Sequence, residues 1–122
     1  MNSKSTWGTP RTATDIFLDP GMWSLDNFGQ NLIATVHNGR TFQWLPIQAS
    51  GTGALNTRAT SVANNPTKSV MTIVSDQDRH LFHLGTETTI GNPSTQDKMF
   101  IRFSDQEDIS DYQPTSINTA GT

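Results

Sequence analysis

The chain has 122 residues, no cysteine and a formal net charge of −3, and only 33% of its residues are hydrophobic. The lack of cysteine excludes disulfide bonds and thiolate metal sites. The slightly acidic balance argues against a basic nucleic-acid-binding protein. No apolar run approaches the ~20 residues that a membrane-spanning helix needs. We therefore expect one small, turn-rich protein that is made in the cytoplasm.

The first part of the chain is predicted to alternate short strands with turns. Residues 1–14 are polar and are expected to form an extended arm, followed by a strand at 15–18. Asp-Pro-Gly at 19–21 predicts a turn, because proline presets φ and glycine accepts the chain reversal. We then expect a strand at 23–25 and a turn at 26–29.

The stretch 31–45 carries the strongest short-range signal in the sequence. Asn38-Gly39 lies between two runs of β-forming residues, which is typical of a two-residue hairpin turn. The predicted register places three pairs opposite one another: Val36 with Thr41, Thr35 with Phe42, and Ile33 with Trp44. One face would then carry Ile33, Phe42 and Trp44, and the other Leu32, Ala34, Val36 and Leu45. A hairpin that is apolar on both faces is expected to be covered on both sides.

A second hairpin is predicted further along the chain. Residues 48–57 are expected to form a surface loop and residues 58–63 a strand. The hairpin then joins 69–75 to 80–84 through a four-residue loop. The pairs that this loop predicts are Met71 with Leu84, Ile73 with Phe82, and Val74 with Leu81.

A last strand is predicted at 98–104, after a loop at 85–97. The strand and the acidic turn after it loosely repeat the segment 71–78 at 100–107, an offset of 29 residues. Such repeats favour a β-propeller or a similar array, although a blade takes ~40 to 50 residues and the chain is too short for a closed ring. The expected fold class is therefore all-β, with antiparallel hairpins of a partial β-propeller or a similar blade-like array.

The expected organisation follows from these elements. Residues 1–14 form the arm, residues 15–112 form the β-hairpin region as one domain or a partial domain, and residues 113–122 form a C-terminal tail. We expect this tail to run into a missing continuation. Strand 98–104 would then keep one bare edge, and the chain alone would self-associate or be poorly ordered.

Two polar clusters contain residue types that bind metals, but we interpret both as structural. His37, His80 and His83 could converge on zinc, but His80 and His83 are three apart in a strand and point to opposite faces. The acidic cluster from Asp105 to Asp111 lacks the glycine of an EF-hand loop, so a solvated turn is favoured over a Ca²⁺ site. No phosphate-binding loop or nucleophile motif occurs. We expect no catalytic residue, no cofactor and no metal ligand.

Large aromatic side chains are the remaining candidates. Several of them could stack against sugars, as in lectins, but an apolar partner across the hairpin favours packing for Trp44. The candidate structural or interaction residues are Trp23, Phe28, Trp44, Phe82, Phe100 and Tyr112.

Three stretches carry motifs in a specific order. The first joins TWGTP at 6–10 to MWSLDNFGQNLIA at 22–34, and the second is Asp78-Arg79-His80. The third is FIRFSDQED at 100–108, followed by Asp111-Tyr112, Pro114-Thr115 and NTAG at 118–121. Together they resemble an interior segment of large, β-rich, propeller-like virion proteins of tailed phages, of the stabilisation or tail-nozzle type. Tyr112 and Phe103 stand where many relatives are expected to carry tryptophan.

The resemblance implies a non-enzymatic structural component of a phage virion, in the tail or the head-to-tail region. Its partners would be other virion proteins or copies of itself, without membrane or direct nucleic-acid binding. Two alternatives stay open. One is a carbohydrate- or receptor-binding β module, and the other is a fragment of a propeller glycosidase, which needs two carboxylates ~5 to 9 Å apart.

Overall fold

The computed structural model describes residues 21–46 and 58–122, which form two antiparallel sheets. The strands are β1 (Trp23–Phe28), β2 (Asn31–Val36), β3 (Thr41–Trp44), β4 (Ala59–Ser61), β5 (Met71–Val74), β6 (Leu81–Leu84) and β7 (Ile101–Phe103). The described residues contain no α-helix and a single 3-10 turn, Pro93–Thr95. The predicted all-β class is therefore confirmed. The two sheets do not close into a barrel or a propeller within the described part of the chain.

The first sheet has the order β1-β2-β3-β4, so each strand pairs with the next along the chain. Phe28 lies opposite Asn31, which leaves Gly29-Gln30 as a two-residue turn. Gly29 adopts a φ of +64°, and glycine in the first turn position fits the twist of a tight hairpin. The predicted turn at 26–29 was therefore wrong in position, because β1 continues to Phe28 and the chain reverses only at the glycine.

The hairpin of β2 and β3 is present, but its register differs by one residue from the prediction. Ile33 lies opposite Gln43 instead of Trp44, and Thr35 lies opposite Thr41. Side chains alternate between the two faces of a strand, so this shift separates the residues that were predicted to share a face. Ile33 is fully buried between the two sheets, whereas Trp44 lies on the other side of its own sheet.

The turn between β2 and β3 explains the shift. The Gly39 N–H donates to the Val36 carbonyl at 2.8 Å, and the Val36 N–H donates to the Arg40 carbonyl at 3.3 Å. Three residues therefore separate Val36 from Arg40, one more than the predicted turn. The positive φ, 54°, belongs to Asn38 and not to Gly39. The Gly39 carbonyl accepts a hydrogen bond from the Ser69 N–H at 3.2 Å, so the loop is also held from outside its sheet.

The second sheet has the order β5-β6-β7, and the predicted pairing of its hairpin is confirmed. The observed pairs are Met71 with Leu84, Ile73 with Phe82, and Val74 with Leu81. The Ser75 N–H donates to the His80 carbonyl at 2.9 Å, which closes the loop of four residues between them.

The internal repeat has a different meaning from the one expected. Its two copies contain β5 and β7, which lie on the two sides of β6 in one sheet. Thr72 from β5 and Arg102 from β7 both lie opposite His83. The repeat therefore reflects two equivalent positions within a single sheet, and it does not mark successive blades.

The two sheets are joined where the edge of β5 meets β1. The Thr72 N–H donates to the Ser24 hydroxyl at 3.2 Å, and the Val74 N–H donates to the Asp26 carboxylate at 2.8 Å. The hydroxyl groups of Thr35 and Thr72 are 2.7 Å apart and form a third link between the sheets. Side chains of β1 thus satisfy backbone groups that another strand would otherwise bind.

The hydrophobic core between the sheets is small. Ile33, Val74 and Leu81 form its buried cluster, and Phe28 and Ile109 pack against it. Many of the other buried side chains are polar, as the low hydrophobic fraction of the sequence suggests.

The segment after β7 folds back on this strand. Phe103 and Gly121 exchange two backbone hydrogen bonds, of 2.9 and 3.2 Å, and Ala120 is buried beside them. A Cβ atom at Gly121 would lie 2.5 Å from the Phe103 ring, so only glycine allows this close approach. The expected bare edge of the last strand was therefore wrong at Phe103, because residues 120–121 cover it.

The other strand predictions agree with the structure in place but not in length. β1 extends beyond 23–25, whereas β4 and β7 are shorter than 58–63 and 98–104. The predicted arm at 1–14, the strand at 15–18 and the loop at 48–57 lie outside the described residues. No helix among residues 21–46 and 58–122 is both long and apolar enough to cross a membrane.

The contact between Asp26 and β5 can be tested by substitution. Asp26→Ala leaves the N–H of the buried Val74 without its acceptor, so the free energy of unfolding should fall by about 1–3 kcal/mol. Asp78→Ala removes the same charge from an exposed loop and serves as the control. Urea unfolding of both variants measures the difference, and equal stabilities would contradict the role of Asp26.

Gly39→Val should also destabilise the protein, although not through the positive φ on which the sequence argument relied. A Cβ at this position would lie 3.0 Å from the Val36 Cβ and 3.3 Å from its carbonyl oxygen. We expect a loss of about 1–3 kcal/mol from crowding, measured by thermal unfolding. Gly21→Val is the control, since no atom of the described residues lies within 4 Å of the added Cβ. An unchanged melting temperature for Gly39→Val would show that the loop adjusts freely.

Candidate interaction surfaces

The first sheet turns an apolar face away from the second sheet, and we call it the first outer face. It consists of Trp23, Leu25, Leu32, Ala34, Phe42, Trp44 and Ala59. A groove of about 500 Å³ is lined by these apolar side chains, apart from Leu25. Trp23 and Leu25 are 57% and 62% exposed, so this face presents a patch of large apolar side chains to solvent.

The second sheet also turns an apolar face outward, which we call the second outer face. Its cross-strand pairs form two rows of three: Met71, Leu84 and Ile101, and Ile73, Phe82 and Phe103. The rings of Phe82 and Phe103 lie 5.3 Å apart. Ile73 and Ile101 are 44% and 48% exposed. Contiguous exposed apolar surface of this kind is a common feature of interaction sites.

Three of the six aromatic residues singled out in the sequence lie on these faces. Trp23 and Trp44 belong to the first outer face, and Phe82 belongs to the second. The sequence argument placed Trp44 in the core opposite Ile33. That interpretation was wrong, because the shifted register places Trp44 opposite Leu32 on the outer face.

The other three aromatic residues have interior roles. Phe28 packs against the core cluster. The guanidinium carbon of Arg102 lies over the Phe100 ring, 5.4 Å from the ring centroid. Tyr112 is 1% exposed and belongs to a buried chain of hydrogen bonds.

The buried hydrogen-bond network that includes Tyr112 is centred on His83. Its Nδ1 lies 2.8 Å from the Ser69 hydroxyl, and its Nε2 lies 3.0 Å from the Tyr112 hydroxyl. The Thr86 hydroxyl donates to the Lys68 carbonyl at 2.9 Å and accepts from Ser69 at 3.4 Å. We therefore assign the proton of the neutral imidazole to Nδ1, which donates to Ser69, while Nε2 accepts from Tyr112.

Burial shifts the pKa values of two residues in this hydrogen-bond network, His83 and Tyr112. It lowers the pKa of His83 to about 3, and the nearby charge of Arg102 acts in the same direction. Burial also raises the pKa of Tyr112, with a smaller contribution from Asp108. A serine beside a histidine can act as a nucleophile, but a nucleophile must contact its substrate and Ser69 is fully buried. The arrangement instead attaches Tyr112 to the second sheet.

Arg102 points inward from β7 and connects separate segments. Its guanidinium group donates to the carbonyls of Thr88 at 2.9 Å, Tyr112 at 3.4 Å and Glu87 at 3.5 Å. Burial lowers the pKa of Arg102, while the charge of Glu87 opposes this shift. Arg102 therefore joins the loop after β6 to the C-terminal segment.

Glu87 is also fully buried and organises the same loop. Its carboxylate accepts hydrogen bonds from the N–H of Thr67, at 3.1 Å, and from the Thr67 hydroxyl. The Gly91 N–H donates to it at 2.8 Å. Three donors thus replace the water that an exposed carboxylate would bind.

The acidic residues near the C-terminal end stabilise turns. Asp105 accepts from the N–H and the hydroxyl of Thr119, at 2.8 and 2.7 Å, and these bonds lower its pKa. Asp108 accepts from Ser110 in the same way, and Asp111 from Gln113. Within the described residues, no three His, Asp or Glu side chains are grouped so that they could hold a metal ion.

The three histidines have separate environments. His37 is exposed in the loop after β2. His80 lies on the second outer face, with its ring 5.9 Å from that of Phe103, and His83 points into the interior. The prediction that His80 and His83 face opposite sides is confirmed.

Sequence reasoning missed the buried polar residues Ser69, Glu87 and Arg102. Of these three, only the position of Arg102 could have been inferred from the sequence, because Arg102 lies between Ile101 and Phe103 in a predicted strand and must face the opposite side. Ile101 and Phe103 lie on the second outer face, so this alternation places Arg102 on the inner side. Comparisons of the chain with protein-family models, curated proteins and solved structures found no match.

The low pKa of His83 predicts a dependence of stability on pH. Below pH 6.5, the ordinary pKa of histidine, His83 is protonated in the unfolded chain but stays neutral in the folded chain. The free energy of unfolding therefore decreases as the pH falls from 6.5 toward 3. Between pH 7 and pH 5 this residue should lower the free energy of unfolding by about 2 kcal/mol. Denaturant unfolding at both pH values measures the change.

A variant and a control isolate this contribution. His83→Gln should remove most of the difference between the two pH values, whatever its effect on overall stability. His37→Gln, at an exposed position, should leave the difference unchanged. An identical pH dependence in the wild-type chain and His83→Gln would refute the assignment.

Proposed function

We propose that this chain is a non-enzymatic structural component of a phage virion, in the tail or the head-to-tail region, that acts through assembly contacts. The main support for the assembly role is that each of the two sheets has an apolar outer face. The virion assignment rests on the resemblance of the sequence motifs. Other virion proteins or further copies of the chain are the proposed partners.

The arrangement of the faces supports a blade-like role. A sheet within a propeller or a related array contacts neighbouring sheets on both of its sides, so apolar residues on outward faces are expected there. Covering Trp23 and Leu25, or Ile73 and Ile101, would remove much exposed apolar surface from water. We therefore propose that the two sheets belong to a larger blade-like assembly.

A carbohydrate-binding module is the second candidate, because Trp23 is 57% exposed beside the Phe42 ring. Aromatic rings can stack on sugars. The groove on the first outer face is lined by apolar side chains, however, and its lining offers few partners for sugar hydroxyls. This chemistry favours an apolar protein surface as the occupant.

The assembly role predicts association that depends on the outer faces. Sedimentation velocity should detect larger species as the concentration of the wild-type chain, or of a mixture with its virion partners, increases. Leu32→Glu on the first face and Ile101→Glu on the second should each weaken association about tenfold or more, since a buried leucine or isoleucine contributes roughly 1.5–3 kcal/mol.

Ile117→Glu is the matched control, because Ile117 is 94% exposed and belongs to neither face. Equal association of all three variants would argue against the outer faces as contact surfaces. Electron microscopy of purified particles, with the chain labelled, tests the virion assignment, and its absence from the particles would refute that part. Sugar binding in a glycan screen, lost in Trp23→Ala, would favour the second candidate.

A further inference from the structure

The outer edge of β7 is covered by residues 119–121, which we call the capping segment. Phe103 and Gly121 form an antiparallel bridge with two backbone hydrogen bonds, of 2.9 and 3.2 Å. Ala120 is buried beside this bridge. A Cβ atom at Gly121 would lie 2.5 Å from the Phe103 ring, so the segment fits the edge closely and a larger residue at 121 would not.

The side chain of Thr119 adds to this contact. Its hydroxyl and its N–H donate to Asp105, at 2.7 and 2.8 Å. The same hydroxyl accepts a hydrogen bond from the Gln106 N–H at 3.0 Å. All of these bonds, and those of the bridge, join the capping segment to residues 103–106. One short stretch at the end of β7 therefore recognises the whole segment.

The connecting loop, residues 113–118, joins the capping segment to the buried residue Tyr112. Residues 113–117 are exposed, and among the described residues the hydrogen bonds of the loop reach only residues 111–118. Pro114 favours an extended conformation at the residue before it. Six extended residues span about 20 Å. The loop is thus long enough to carry the capping segment away from its own sheet while Tyr112 stays in place.

We propose that two copies of this chain exchange their capping segments, so that each segment covers the β7 edge of the other copy. A segment that fits the edge within its own chain also fits the identical edge of a second copy. The bonds at Phe103 and Asp105 are then the same in both arrangements. Only the path of the connecting loop and the cost of bringing two copies together differ, which makes such an exchange a low-cost route to a dimer.

The proposal rests on the proposed function only in taking a further copy of the chain as the partner. The exchange uses residues 103–106 and the edge of β7, whereas the assembly role depends on the outer faces of both sheets. Leu32→Glu on the first outer face should therefore weaken assembly and leave the exchange unchanged. The two proposals can fail independently.

Two single-cysteine variants test the exchange, because the chain has no cysteine of its own. Asp105→Cys and Thr119→Cys are mixed under reducing conditions and then oxidised. In an exchanged dimer, the two thiols lie where the Asp105 Oδ1 and the Thr119 Oγ1 are 2.7 Å apart. The disulfide-linked heterodimer should form about tenfold faster than with the control pair, Asp78→Cys and Thr119→Cys, because exchange gives the thiols a high effective concentration.

Gly121→Val, added to the Thr119→Cys chain, should remove this tenfold advantage, because its side chain would clash with the Phe103 ring. Isotope-filtered NMR on a mixture of labelled and unlabelled wild-type chain gives a second measurement that needs no disulfide. A nuclear Overhauser effect between Gly121 of one chain and the Phe103 ring of another should appear as the concentration rises. Equal rates for the two cysteine pairs would overturn the proposal, and so would contacts confined to single chains at every concentration.

Discussion

The backbone N–H groups at the outer edge of β5 need acceptors, and the side chains of β1 supply them. Ser24 and Asp26 accept from Thr72 and Val74, so the contact between the sheets depends on directional hydrogen bonds. Among the described residues, the buried hydrophobic cluster contains only three members, which limits what their non-directional burial can contribute. The polar contacts therefore determine how the two sheets meet.

The inner side of the second sheet carries buried polar residues beside Val74 and Leu81, and its outer side is apolar. Thr72, His83 and Arg102 lie opposite one another on the inner side, where each has hydrogen-bond partners. The rows around Phe82 form the outer side. Hydrogen bonds offset most of the cost of burying these polar groups, although the Nε of Arg102 has no partner among the described residues. The outward apolar rows have no such compensation in water. These exposed apolar rows are the physical basis for the proposed assembly role.

The C-terminal segment completes the second sheet through two kinds of contact. Tyr112 is held by the imidazole of His83, and Gly121 pairs with the backbone of Phe103. The turns between them are organised by carboxylates that bind local N–H and hydroxyl groups, as Asp105 does with Thr119. Acidic residues that resemble a cation site in sequence are thus used to hold the chain in place.

The sequence by itself determined the all-β class, the two hairpins and the pairing of β5 with β6, because alternating side chains and turn residues act locally. Only the tertiary structure decided which face of each strand is buried. Asn38-Gly39 allowed two turn lengths, and Thr35 bonds to Thr41 and Thr72 in the observed register. Strands with apolar residues on both faces carry no local sign of which face is inside. That choice depended on hydrogen bonds between distant residues, such as Asp26 with Val74 and Ser69 with His83.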